Sequence, residues 1–247
     1  MNDFIQSNFK KKYVINLKNR TDRYDEFKDR VSHHFNPNLI ERFDAIDGKN
    51  LDVSTISEEF LQKAKNKGEI GCFLSHQQIW KLVIDDSSID DNDLILVFED
   101  DIFFTKENFS EKFINAVSNF KNVSKKNKYL FLGGRFNIDF KPHLQRDMKY
   151  HWKKDSNDII YERIPCLPMK NPIFDRTTHV NIFTKSTASF LYNITKTKSP
   201  ENIPSVVDKF LIWSHTRNSN DIFFYDYFPH IFYSPINYKS DIQFSSK

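Results

Sequence analysis

Five consecutive apolar residues, Leu94-Ile95-Leu96-Val97-Phe98, run directly into three acids, Glu99-Asp100-Asp101. An unbroken apolar run of this length is the mark of a strand buried on both faces, so helices or other layers must cover each side of its sheet. Ending such a strand on clustered carboxylates is costly, because like charges repel and buried ions lose hydration. A hard divalent cation relieves that cost, since Mg²⁺ or Mn²⁺ prefers carboxylate oxygen and can bridge to substrate phosphates. The competing reading is a solvated acidic turn, as expected for Asp90-Asp91-Asn92-Asp93 just upstream.

Apolar runs alternate with amphipathic segments along the rest of the chain. Tyr13–Leu17 reads as the first strand, and Thr21 or Asp22 can cap a helix that places Tyr24, Phe27 and Val31 on one face. A short strand is expected near Leu39–Phe43. Thr55 and Glu58 have capping-box spacing ahead of a helix carrying Phe60, Leu61 and Ala64. Gly68–Asp85 reads as a further helix, with Ile70, Phe73, Leu74, Trp80 and Ile84 forming a broad stripe. After the acid-tipped strand come a helix from about Glu107 to Phe120 and a strand over Tyr129–Leu132, which ends at Gly133-Gly134. Later elements are a strand at Val180–Phe183, helices at Ser186–Thr195 and Val206–Thr216, and an aromatic strand at Ile222–Phe228.

This βα alternation predicts an α/β layer fold with a mostly parallel sheet. In such sheets ligands bind beyond the carboxyl ends of the strands, so one crevice can gather Asn16 onward, Glu99–Asp101 and Gly133-Gly134. Residues 135–178 are polar with scattered prolines and read as a long loop or irregular insertion over that crevice. With 247 residues and no linker composition, the chain is expected to form a single domain over 1–247.

Composition narrows the function. Net charge is +3 from 36 basic and 33 acidic residues, too even a balance for a nucleic-acid binder. Cys72 and Cys166 have no metal-ligand spacing, which argues against a disulfide scaffold or a zinc site and is compatible with a reducing compartment. Residues 1–12 show no signal-peptide pattern, and no apolar stretch approaches the roughly 20 residues needed to span a bilayer. A cytoplasmic location with no transmembrane segment is therefore expected. The 25 Phe residues supply much of the core, whereas the 5 Gly residues are few enough to have specific tasks.

Read in order, several segments resemble glycosyltransferase family 25, which contains lipooligosaccharide glycosyltransferases and collagen hydroxylysine galactosyltransferases. The segments are Val14–Arg23, Phe43–Gly48, Gly68–His76 and Val97–Asp101, then Thr178-His179-Val180, Val206-Val207-Asp208 and Ser240–Gln243. Two positions depart from the family pattern: Thr178 stands where Gly often precedes the His, and Val207 where Pro often precedes the Asp.

The resemblance implies a GT-A-like fold and transfer of a hexose, galactose or glucose, from a UDP-sugar to a hydroxyl, with inversion at the anomeric carbon. The acceptor would be a glycan, a lipid-linked saccharide or hydroxylysine in a collagen-like protein. Glu99 and Asp101 keep the alternate spacing of a DxD pair, and residues two apart on an extended chain point to one side. Asp101 is then the expected principal ligand of Mn²⁺ or Mg²⁺, with Glu99 nearer the ribose or sugar and Asp100 unassigned between them. His179 and His230 are candidate further metal ligands, against a structural role for each.

Donor-binding candidates are Asn16, Leu17, Arg20, Arg23, Asp47, Ser75, His76, Glu99, Asp100, Gly133 and Gly134. Arg20 and Arg23 can grip the pyrophosphate or order the loop, or simply occupy a solvated helical turn. Asp47-Gly48 can hold the ribose or base edge, or be a turn. Asp208 is the candidate general base for the acceptor hydroxyl; it is equally well placed to act as an N-terminal helix acid. Two alternatives stay open at this level: a catalytically inactive nucleotide-sugar or glycan-binding module, and another metal-dependent phosphate-processing enzyme.

Overall fold

A computed structural model of the chain describes residues 1–105, 107–134, 152–154, 160–163, 178–227 and 230–234. Helix α1 (Asn2–Asn8) leads into β1 (Lys11–Leu17), α2 (Thr21–Ser32) and β2 (Glu41–Ala45). Helices α3 (Glu58–Gln62) and α4 (Lys67–Asp85) precede β3 (Leu94–Glu99), β4 (Phe103–Phe104) and α5 (Phe109–Asn122). Strands β5 (Lys128–Phe131), β6 (Gly133–Gly134), β7 (Trp152–Lys154), β8 (Ile160–Arg163) and β9 (Val180–Thr184) follow. Helices α6 (Lys185–Thr197) and α7 (Val207–Arg217) and strands β10 (Phe223–Tyr227) and β11 (Phe232–Tyr233) complete the order.

An eight-stranded sheet has the order β2-β1-β3-β9-β5-β10-β8-β7. Strands β2, β1, β3, β5, β10 and β7 run one way, while β9 and β8 run against them, so the sheet is mixed with one prevailing direction. Strands β4, β11 and β6 form a small second sheet. This is the α/β layering expected from the apolar runs and is consistent with a GT-A-like domain.

The alternation along β3 explains why its sequence is apolar throughout. Leu94, Leu96 and Phe98 join a core with Phe27 and Val31 of α2 and Phe113, Val117 and Phe120 of α5. Ile95 and Val97 face the other way, into a core with Phe73, Trp80 and Val83 of α4, Leu191 of α6 and Phe210 of α7. The same parity carries past the strand end. Glu99 falls on the α4 side and Asp100 on the α2 side, which decides the partners each acid meets.

Most elements match expectation within a few residues, but the cap of α3 does not. Ser57, not Thr55, is the N-cap, and its hydroxyl accepts from the Phe60 amide. Thr55 ends a preceding 3-10 turn, and its hydroxyl instead donates to Asp52 O. Within the stretch expected to be irregular, residues 152–154 and 160–163 pair with each other as β7 and β8 and dock on β10 at the sheet edge. The rest of that stretch apart from Thr178, with Cys166 and the tail segment Ser240–Gln243, lies outside the described residues.

Candidate active site

Strand register builds the centre of the site. Phe98 pairs with Val180 in the antiparallel β3–β9 ladder, so the next pair outward sets Glu99 opposite His179. The Glu99 amide donates to His179 O at 2.8 Å, and His179 Nδ1 lies 3.1 Å from Glu99 Oε2. The same nitrogen is 3.2 Å from Asp101 Oδ1. Thr178 donates its hydroxyl to Glu99 Oε1 at 2.5 Å, and His76 Nε2 of α4 lies 3.2 Å from that oxygen. On the other side, β11 delivers Ser234, whose hydroxyl donates to Asp101 Oδ2 at 3.1 Å.

Asp100 behaves differently from its neighbours. Its carboxylate is bound by the Arg23 guanidinium and by Asn16 Nδ2, and its carbonyl accepts from Arg30 Nη2 at 2.7 Å. Asn16 Nδ2 also reaches Arg20 O at 3.1 Å. The pair Arg23–Asp100 is buried, so Arg23 is not a solvated residue of the first helical turn; it fastens α2 to the strand end.

Electrostatics follow this division. Burial alone would raise the Glu99 carboxyl, but hydrogen bonds from His179 and His76 outweigh it and hold Glu99 well below its usual range. Burial also opposes ionisation of Asp101, and the neighbouring His179 again wins and lowers it. Burial would lower His179, yet Asp101 and Glu99 together raise it well above the ordinary histidine value. Burial dominates at Asp100 and raises it to about 6 against the opposing pull of Arg23. His179 Nδ1 thus stands between two carboxylates, where positive charge is favoured.

A cleft opens beside this cluster. Its lining includes Asn16 and Leu17 at the end of β1, Arg20 and Arg23 after it, Ala45 at the end of β2 and Ile46, Asp47, Gly48 and Lys49 after it, and Gly68, Cys72 and Ser75 of α4, together with Glu99–Asp101. The loop after β2 is pressed against α4. A Cβ at Gly71 would meet Ile46 O at 2.5 Å, and one at Gly48 would clash with Lys67 O. Ser75 links the two, accepting from the Ile46 amide at 2.9 Å and donating to Gly71 O at 2.7 Å. Both Asp47 oxygens serve the turn itself, accepting from the Lys49 amide and Asn50 Nδ2. Arg20 lines the cleft with its guanidinium paired to Asp22 at 2.9 Å.

Other residues singled out from the sequence lie at varying remove. Gly133 packs against His179, and Gly134 against the His230 ring. His230 does not enter either of the side-chain trios with metal-ligand spacing found among the described residues; burial lowers its pKa to about 4. Asp208 sits in the first turn of α7 outside the cleft lining, yet its charge acts on Cys72 and Tyr129, which also feel Glu99. Burial, with Glu99, Asp208 and Asp101 adding to it, raises the Cys72 thiol well above its usual value.

Arg30 and Ser234 escaped the sequence reading. Arg30 follows Arg23 by seven residues, two turns along one helix face, which is a signal that could have paired them. Ser234 carries no such mark, because only the small sheet brings it to Asp101.

The trio Glu99, Asp101 and His179 offers one ligand atom each within 4.8 Å of one another. His179 Nε2 is buried and has no hydrogen-bond partner among the described residues. Two carboxylates and an imidazole form a donor set that suits Mn²⁺ or Mg²⁺, so these side chains fit a divalent cation.

The sequence profile described as "Glycosyltransferase family 25 (LPS biosynthesis protein)" matches residues 9–210. The chain is similar to procollagen galactosyltransferase 2 of Homo sapiens, 29% identical over 133 residues that cover 49% of this chain and 20% of that protein. It is also similar to procollagen lysyl hydroxylase and glycosyltransferase of Acanthamoeba polyphaga mimivirus, 34% identical over 120 residues, covering 41% and 13%. A glycosyltransferase 25 family member of Anopheles gambiae is 33% identical over 105 residues, covering 37% and 16%. The matched regions thus span a fifth or less of these relatives. No helix among the described residues is long and apolar enough to cross a membrane.

Proposed function

This chain belongs to glycosyltransferase family 25, and from that membership and the site geometry we propose that it transfers a hexose from a UDP-sugar to an acceptor hydroxyl. Galactose is the favoured sugar and a collagen-like protein or glycan the favoured acceptor class, because the similar proteins include procollagen galactosyltransferases. The observation that carries the proposal is the convergence of Glu99, Asp101 and His179 beside a cleft lined by residues after β1 and β2.

In this reading Asp101, Glu99 and His179 hold Mn²⁺ or Mg²⁺. Bound there, the ion supplies Lewis acidity and neutralises charge on the departing diphosphate. Arg20 offers a forked, permanently charged donor to the pyrophosphate, exchanging Asp22 for it. Asp100, Arg23 and Arg30 keep the acid-bearing turn in place. The loop at Ile46–Gly48, fixed by Ser75, forms the nucleoside wall.

Asp208 is the proposed general base. It takes the acceptor hydroxyl's proton as that oxygen bonds to the anomeric carbon from the face opposite the leaving diphosphate. The electron pair of the broken bond departs with UDP, and the configuration inverts.

The test is release of UDP from UDP-galactose in the presence of Mn²⁺, measured first without acceptor and then with hydroxylysine-containing collagen peptides. Slow release that accelerates with acceptor is expected. Failure to bind any nucleotide sugar, or equal processing of nucleotides that lack a sugar, would contradict the proposal.

A further inference from the structure

Cys72 and His76 sit four residues apart on α4, one turn above one another on the side that meets β3. Each offers a ligand atom that lies within 4.8 Å of the other and of a Glu99 carboxylate oxygen. Cys72 borders the cleft, so an ion has a route in. Neither Cys72 nor His76 is a ligand in the trio proposed for catalysis. Their donor set is also softer, with a cysteine sulfur in place of one carboxylate oxygen. Zn²⁺ accepts such a set in tetrahedral geometry and keeps a water in the fourth position.

We propose that Cys72, His76 and Glu99 form a second site for a thiophilic divalent cation, with Zn²⁺ the best chemical fit, and that filling it withdraws Glu99 from Asp101 and His179. Binding forms a Zn–S bond as the thiol proton passes to solvent; Glu99 contributes an oxygen lone pair, and His76 ligates through Nε2 as the proton that nitrogen shares with Glu99 moves through solvent to Nδ1. Glu99 belongs to both trios, so the two sites compete for one side chain. Zinc at the α4 site is therefore an inhibitor of metal-dependent transfer; this consequence rests on the function proposed above, whereas the binding does not.

The binding is tested with Co²⁺ as an optical probe for Zn²⁺. The wild-type chain is expected to give the near-ultraviolet charge-transfer absorption of a cobalt thiolate, and added Zn²⁺ should bleach it. Cys72→Ser should lose the band although Cys166 is retained, and His76→Gln should weaken cobalt affinity about tenfold or more. His76→Gln also serves should Cys72→Ser not fold, as judged by circular dichroism. No band in the wild type, or one unchanged in Cys72→Ser, would overturn the site.

A separate arm follows UDP release with Mn²⁺ while Zn²⁺ is titrated, each protein being compared with its own zinc-free rate. Inhibition at least about tenfold weaker in Cys72→Ser is expected. Equal zinc sensitivity would overturn the withdrawal of Glu99. Absence of any UDP release would count against the proposed function alone, and the cobalt arm would still decide the binding.

Discussion

Three adjacent acids at one strand end divide between two sides, and parity assigns them. Asp100 faces α2 and is buried against Arg23, so its role is to hold the turn. Asp100→Asn would leave Arg23 buried beside a neutral partner. Breaking a buried pair from one side costs about 3–5 kcal/mol, so urea unfolding should show a large loss of stability in this variant. An unchanged midpoint would remove the structural role. Asp208 makes the opposite claim. Asp208→Asn is expected to slow transfer on the order of 100-fold or more while the affinity for UDP-galactose stays near that of the wild type. Calorimetric titration of the donor separates the two effects, and lost donor affinity would reassign the residue. The sequence displayed the acids plainly, together with the one-sidedness of Glu99 and Asp101. It did not show that Thr178, Ser234 and His76 would share their oxygens, since those contacts cross strands and sheets distant in the chain.

Two elements set the site's walls through close contacts that can be tested individually. The loop after β2 is held against α4 at a distance that excludes even a methyl group at Gly71. Gly71→Ala must push the loop outward, because the obstructing atoms are backbone rather than flexible side-chain ends. A raised KM for the donor with a smaller change in kcat is the expected outcome, and an unaltered KM would separate the loop from donor binding. At the far end of the sheet, Lys128 Nζ donates to the carbonyls of Phe120, Lys121 and Val123, closing the last turn of α5. Burial lowers its pKa to about 8, but three carbonyl acceptors at a helix C-terminus favour the cation. Lys128→Met should destabilise by about 1–3 kcal/mol in chemical denaturation, since it removes a donor shared by the three carbonyls, of which Phe120 O keeps the Val123 amide. Helix positions were legible from apolar spacing. Caps were less so, as Ser57 and Thr55 illustrate: both can cap, and only the path of the chain before α3 decides between them.

At the scale of the whole molecule, the sheet order explains why distant segments form one site. Strand β9 runs antiparallel between β3 and β5, which places its N-terminal residues, Thr178 and His179, beside the C-terminal acids of β3. Periodicity revealed both strands as apolar runs but could not show that they would be neighbours of opposite direction, because strand order depends on the covering helices rather than on any strand's own residues. The small sheet of β4, β11 and β6 was likewise hidden, its strands being only two residues each. The fold holds Glu99, Asp101 and His179 together despite their charge, where the proposed cation would sit. Thermal melting of the wild type and Asp101→Asn with UDP-galactose, with and without Mn²⁺, tests this most directly. At a hundredfold excess over Kd, ligand binding stabilises the native state by about 2.7 kcal/mol, or roughly 5–10 °C in Tm for a chain of this size. Such a rise is expected in the wild type only when Mn²⁺ is present, and none in a well-folded Asp101→Asn; equal shifts in the two proteins, or a full shift without metal, would contradict the cation's role at this site.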